Sequence, residues 1–275
     1  MDWQRYQQAM ALEENGKAEE ALTILRDLEG AWTDPAESAA WFVGMANCLR
    51  LLHQYDQARE VVARAYKVLD KNNPSFPELI FADVCIDEDV GNWKKALKKL
   101  DLILERYRDI LKDPENESFK KRVFEDRGCA LVNLKRYAEA RKVLESAQAD
   151  GFSSYRPLFY LGACCYSMGD LAACKRHMSE ALAFDLDSGY SVEAHYYLGL
   201  AHLRLGECAW AKQEFEWCFQ HEDQSTIWKD AVITGLVKAS EALGLKEEAR
   251  KYSAMLGSRL RRRLLRWSHL KIRRC

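Results

Sequence analysis

Membrane-spanning segments are the first thing missing from this 275-residue chain: no apolar run reaches the roughly 18 residues that a bilayer demands. The opening Met1-Asp2-Trp3-Gln4-Arg5 is neither basic nor followed by an apolar stretch, so no secretory leader is expected there. Prolines number only five, and no stretch alternates with period two for long, which leaves little room for strands. Paired C-x-x-C knuckles are also absent. The nine cysteines are scattered, and several sit where a small packing residue is wanted, so reduced thiols and a cytoplasmic compartment, with the nucleus not separated from it, are expected.

Catalytic signatures are missing as well. There is no G-x-x-x-x-G-K-[ST] phosphate loop, no H-E-x-x-H, no G-x-S-x-G and no glycine-rich dinucleotide turn. Neither an enzyme nor a cofactor is expected. Asp185-Leu186-Asp187-Ser188-Gly189 opens like a calcium loop, but its twelfth position is Tyr196 where a bidentate glutamate is required. Cys164, Cys165, Cys174 and His177 form the one metal-like grouping. Consecutive helical residues point about 100° apart, however, and Cys174 already has a packing role, so no metal is expected. His195 and His202, seven apart on one helix face, either converge or replace larger core residues.

What the chain has is a doubled helical pattern. A small residue on one helix recurs twelve residues before a small residue on the next: Ala9 and Ala21, Ala46 and Ala58, Gly128 and Ala140, Gly162 and Cys174, Gly199 and Ala211. Helices approach to about 8–10 Å only where the side chains at their crossing are small. Five residues before the second anchor comes a turn, marked by Gly16, Gly91, Gly169, Gly206 and Gly244. Seven residues after it a further small residue often follows, as at Ala65, Ala147, Ala181 and Cys218, two helical turns along the same face. The anchors Ala21, Ala58, Ala96, Ala140, Cys174, Ala211 and Ala249 define seven hairpins, with steps of 37, 38, 44, 34, 37 and 38 residues. A period of this size predicts an all-α solenoid whose units bury their apolar faces on one another. The third and seventh hairpins are the weakest: the first helix of the third, around Ile80 to Asp89, lacks the small-residue register, and the seventh keeps Gly244 and Ala249 but matches little elsewhere.

These details resemble the tetratricopeptide repeat family, whose unit of about 34 residues combines an aromatic, a Leu-Gly pair and a later Ala. Leu161-Gly162 with Gly169 and Ala181, and Leu198-Gly199 with Gly206, Ala211 and Phe215, carry the resemblance best. It covers roughly residues 2–257, and it implies a right-handed superhelix with first helices lining the concave side, where ligands lie. The inward positions it implies include Tyr6, Asn47 and Arg50, then Glu125 and Cys129, then Arg156, Phe159 and Tyr166, then Tyr196 and Arg204. Tyr160 and Tyr197 flank and assist the last two groups. An aromatic groove edged by Arg156 and Arg204 is expected to hold a peptide or amphipathic helix of a partner protein, the alternative being that these rings only pack against the next hairpin. Some members hold a C-terminal carboxylate with lysines and asparagines; this chain keeps Asn47 but has Val43, Glu125 and Phe159 where most of that set falls. Acids in the middle hairpins, Asp83, Asp87, Glu88, Asp89, Glu125 and Asp126, point instead to a basic partner there.

Charge divides the chain unevenly. From Lys251 to Cys275 there are nine Lys or Arg and no acid, which leaves 32 basic against 42 acidic residues elsewhere. Residues 258–275 read as a separate amphipathic helix after the array of residues 1–257, with Leu260, Leu264 and Trp267 on one side and Arg262, Arg266 and Arg273 opposite. Three roles compete for it: a cap on the last hairpin, a binder of nucleic acid, anionic membrane or an acidic protein surface, and a docking segment for the chain's own acidic hairpins.

Overall fold

A computed structural model describes residues 1–152, 154–184, 191–221 and 226–256, and every regular element among them is helical. The basic segment 258–275, with Arg262, Arg266 and Arg273, and residues 185–190 of the calcium-like loop lie outside the described residues. The chain divides into two compact units, Met1–Leu134 and Lys135–Cys275.

In the first unit, three hairpins follow one another: α1 (Trp3–Glu14) with α2 (Ala18–Asp27), α3 (Pro35–Leu51) with α4 (Tyr55–Val68), and α5 (Phe76–Asp89) with α6 (Trp93–Arg106). A short helix α7 (Arg108–Leu111) and a single 3-10 turn (Pro114–Asn116) then lead into α8 (Glu117–Asn133), which packs on α6. These two short elements account for the long step of 44 residues between Ala96 and Ala140. In the second unit, α9 (Tyr137–Ala149) packs on α10 (Tyr155–Met168). Three hairpins complete the unit: α10 with α11 (Leu171–Phe184), α12 (Ser191–Leu205) with α13 (Cys208–Gln220), and α14 (Thr226–Ala242) with α15 (Lys246–Met255).

The small-residue register is the seam of these hairpins. Ala9, Ala21, Ala46, Ala58, Cys174 and Ala211 are all buried, and a Cβ added at Gly162 would meet the Met178 side chain at 2.7 Å. These two weaker hairpins form all the same. Twelve residues before Ala96 and Ala249 stand Val84 and Val237, both buried, so a β-branched side chain is accommodated at those crossings. Phe215 of α13 is held tightly in the core. Its ring is fully buried between α12 and α14, where Cβ atoms added at Gly199 and Gly235 would lie 2.7 and 2.6 Å from it.

All seven turns share one backbone solution. Gly16, Gly91, Gly169, Gly206 and Gly244 have φ between 74° and 85°, and the turns that lack glycine place His53 at 58° and Lys135 at 60° in the same left-handed region. A side chain with a Cβ costs about 1–2 kcal/mol there. Lys135→Gly is therefore expected to stabilise the chain by about 1 kcal/mol, read as a raised urea midpoint. His53→Gly should gain less, because the imidazole Nδ1 is 2.8 Å from the Tyr55 hydroxyl and that contact would go.

Candidate functional site

The first helices of each unit carry one candidate surface. In the first unit a cleft of about 140 Å³ opens between α3, α5 and α8, lined by Asn47, Glu78, Phe81, Phe119 and Arg122 among others. Phe81 and Phe119 meet edge to face at 5.5 Å, and the Arg122 guanidinium lies over the Phe81 ring at 4.6 Å. Desolvation in this concave wall raises the Glu78 carboxyl, with Arg122 opposing. Arg50, one turn beyond Asn47, is half-buried and donates from Nη1 to Asp89 at 3.0 Å.

Two sequence expectations fail in this unit. Glu125 and Cys129 are buried, while Arg122, one turn before Glu125, is exposed at the cleft. Any inward reading of α8 thus begins a turn earlier than the repeat register suggests. Most of the acids are not an exposed surface for a basic partner either: Asp83, Asp87, Glu125 and Asp126 are buried and Glu88 is half-buried, while Asp89 is exposed but paired with Arg50. Asp87 accepts from Lys99 Nζ at 2.6 Å and Arg59 Nη2 at 2.8 Å, and Asp83 accepts from the Tyr66 hydroxyl at 3.1 Å. These carboxylates tie α5 to its neighbouring second helices α4 and α6.

In the second unit the surface is aromatic. Tyr166 of α10 and Tyr196 and Tyr197 of α12 are half-buried, with Tyr197 edge-on to Tyr166 at 5.6 Å and to Tyr196 at 6.2 Å. Burial raises Tyr196 and pushes Tyr197 up to about 12, so both phenols stay neutral hydrogen-bonding groups. Arg204 is exposed; its Nη1 donates to the Tyr166 carbonyl at 3.1 Å and its guanidinium lies 5.0 Å from the centre of the Tyr166 ring. Arg204 therefore links α10 and α12 while leaving charge at the surface. Arg156, at the start of α10, is half-buried.

Phe159 is placed differently from its expected role. Only 9% exposed, it stacks on Tyr155 at 5.8 Å and meets Tyr160 and Tyr197 edge-on, so it supports the tyrosine face from beneath. Sequence reasoning gave Tyr160 and Tyr197 only an assisting role, yet Tyr197 joins the tyrosines of the two helices.

The cysteine and histidine groupings resolve into packing. Burial pushes the Cys164 and Cys174 thiols up to about 12 and raises Cys165, which opposes the thiolate that metal binding or redox chemistry needs. His195 and His202 diverge. The first pairs with Glu214 at 2.6 Å and stacks on Trp217, and the second pairs with Glu207 and stacks on Trp210. No described helix is long and apolar enough to cross a membrane.

A model of the tetratricopeptide repeat family matches residues 6–75, the first two hairpins. The hairpins beyond them repeat the same helical arrangement. No curated protein matches the sequence. Among solved structures, a chain of the Cut9–Hcn1 hetero-tetramer of the APC/C is similar with a TM-score of 0.72 at 15% identity, over 94% of this chain and 48% of that one. PilF of Pseudomonas aeruginosa gives 0.64 at 17% identity, over 84% of this chain and 98% of its own. A tetratricopeptide repeat protein of Parabacteroides merdae gives 0.60 at 15%, covering 96% and 98%. Identities this low speak to the fold alone.

Proposed function

We propose that this chain is a non-enzymatic scaffold that holds a peptide or amphipathic helix of a partner protein on the face of its first helices. Arrays of this kind generally bind proteins, and one of the similar structures comes from a hetero-tetramer of Cut9 and Hcn1. The observation that carries the reading is the tyrosine face of α10 and α12, with exposed Arg204 seated on Tyr166. Rigid amphipathic rings supply contact area at low entropic cost, and a guanidinium over a ring adds a site for a carboxylate. The favoured occupant is a segment that alternates apolar and acidic residues. Asn47, Arg50 and the Arg122 cleft offer the first unit's contribution.

Charge separation favours a second reading, in which Arg262, Arg266 and Arg273 bind nucleic acid or an anionic membrane and the repeats regulate them. Affinity capture with three forms of the chain discriminates the two. Tyr166→Ala with Tyr196→Ala and Arg204→Ala is expected to lower recovery of a bound protein at least about tenfold with helicity unchanged. Removal of residues 258–275 should leave that recovery intact. Partners retained by the triple variant, or lost with the tail in a salt-sensitive way, would reject the groove.

A further inference from the structure

A second cavity lies in the first unit, at the entry of the α3–α4 hairpin. It has a volume of about 470 Å³ and is walled by the connector before α3, the first turns of α3 and the end of α4. Such a volume lies in the range of built ligand sites. Trp32, Phe42 and Leu69 form its apolar lining, and Trp32 is fixed there by Trp41 at 5.0 Å and Phe42 at 5.9 Å. Val68 also lines it and is 67% exposed, an apolar side chain at the mouth with water as its neighbour.

The charges around the cavity are of one available sign. Asp34 is the only acid of the lining, and its carboxylate is engaged as the cap of α3, accepting from the Glu37 N–H at 2.8 Å. Arg64 and Lys67 are both exposed. Lys67 makes no ion pair among the described residues. Arg64 holds Glu29 at 2.7 Å in a pair about half exposed on each side, the kind that contributes little and is readily exchanged for another carboxylate. The opening turn of α3, a helix of 17 residues, adds a partial positive charge of the same sense.

We infer that this cavity is a docking site for an acidic segment of a partner chain, which inserts one large apolar side chain between Trp32, Phe42 and Val68 and sets flanking carboxylates against Lys67 and Arg64. The apolar lining fixes the inserted residue, and the two cations select the charge beside it. Its lining, all in the first unit, shares no residue with the tyrosine face of the second.

Fluorescence anisotropy of a labelled Glu-Glu-Phe-Glu-Glu peptide against the full chain tests it, with Lys67→Glu and Val68→Gln as variants at exposed positions. Wild type should bind the peptide, and each variant should weaken binding at least about tenfold, as loss of a charge-assisted or buried apolar contact does. A Lys-Lys-Phe-Lys-Lys peptide should bind wild type at least about tenfold more weakly and recover on Lys67→Glu. In the Tyr166→Ala, Tyr196→Ala, Arg204→Ala background the acidic peptide should still bind, and adding Lys67→Glu to that variant should still weaken it at least about tenfold. The inference is overturned by absence of binding, by equal binding of the two peptides, or by affinity that follows the tyrosine variant and ignores Lys67 and Val68. Failure of the tyrosine face to hold a partner leaves this result untouched.

Discussion

Phe215→Ala is expected to destabilise the second unit by about 3–5 kcal/mol, the range for truncating a fully enclosed aromatic side chain. The ring is the contact that α13 offers to α12 on one side and to α14 on the other, so both neighbours lose a partner at once. Urea unfolding followed by circular dichroism should show a large drop in midpoint, and an unchanged midpoint would refute the wedge. A change of sign provides the sharper signature. Alanine is the better helix former by about 1 kcal/mol, yet Gly199→Ala should destabilise wild type, because overpacking costs about 1–3 kcal/mol and the ring has no room to retreat from Gly235. In a Phe215→Leu background the obstruction is gone, and the same Gly199→Ala change should become stabilising.

Asp87→Asn is the second large effect. The carboxylate is fully buried and faces two cations, Lys99 and Arg59, which themselves reach solvent in part. Removing one member of a buried pair typically costs about 3–5 kcal/mol; the lower end is expected here because Lys99 keeps Asp83 at 2.6 Å and water can reach the Arg59 guanidinium. The pH dependence follows from the direction of the shift. Burial raises the Asp87 carboxyl, but Lys99 and Arg59 outweigh it and hold the pKa below its ordinary 3.8. A group depressed in the folded state contributes stability above the unfolded value and loses it as pH falls through the folded one. Wild type should therefore weaken as pH drops below about 4, and Asp87→Asn should flatten that part of the profile. An identical acid limb in the two proteins would show that this carboxylate does not govern it.

The hairpins were legible in the sequence because their determinant is steric and local. A small residue twelve before another, with a turn five before the second, fixes the helices of a hairpin whatever surrounds them. Val84 and Val237 show the limit of that rule: the crossing tolerates valine, so the absence of Ala or Gly was a weaker signal than it looked. The turns at His53 and Lys135 were legible only by register, since neither residue favours a positive φ. The site was legible in composition and less so in depth. Phe159 and Tyr197 lie on adjacent first helices, and that Phe159 sits beneath while Tyr197 is half-exposed is set by the packing of Phe159 against Tyr155, Tyr160 and Tyr197, a tertiary matter. The acids of α5 failed for a related reason. A run of Asp and Glu states its charge but not its direction, and Arg59, Lys99 and Tyr66 on the neighbouring helices draw Asp83 and Asp87 inward. The cavity at Trp32 left no periodic trace, because a connector builds one of its walls.

The uniform turn also dictates where the chain tolerates changes of length. Within a hairpin the bend is set by one left-handed residue at a fixed distance from the anchor, so an added or deleted amino acid there would rotate the whole second helix off its contacts. Between hairpins no such gauge applies, and the piece from Arg108 to Asn116 sits in one of these joints as a spacer with small helices of its own. Joints are thus the places where such arrays lengthen or acquire loops, and where a tag can be grafted without disturbing the rungs on either side.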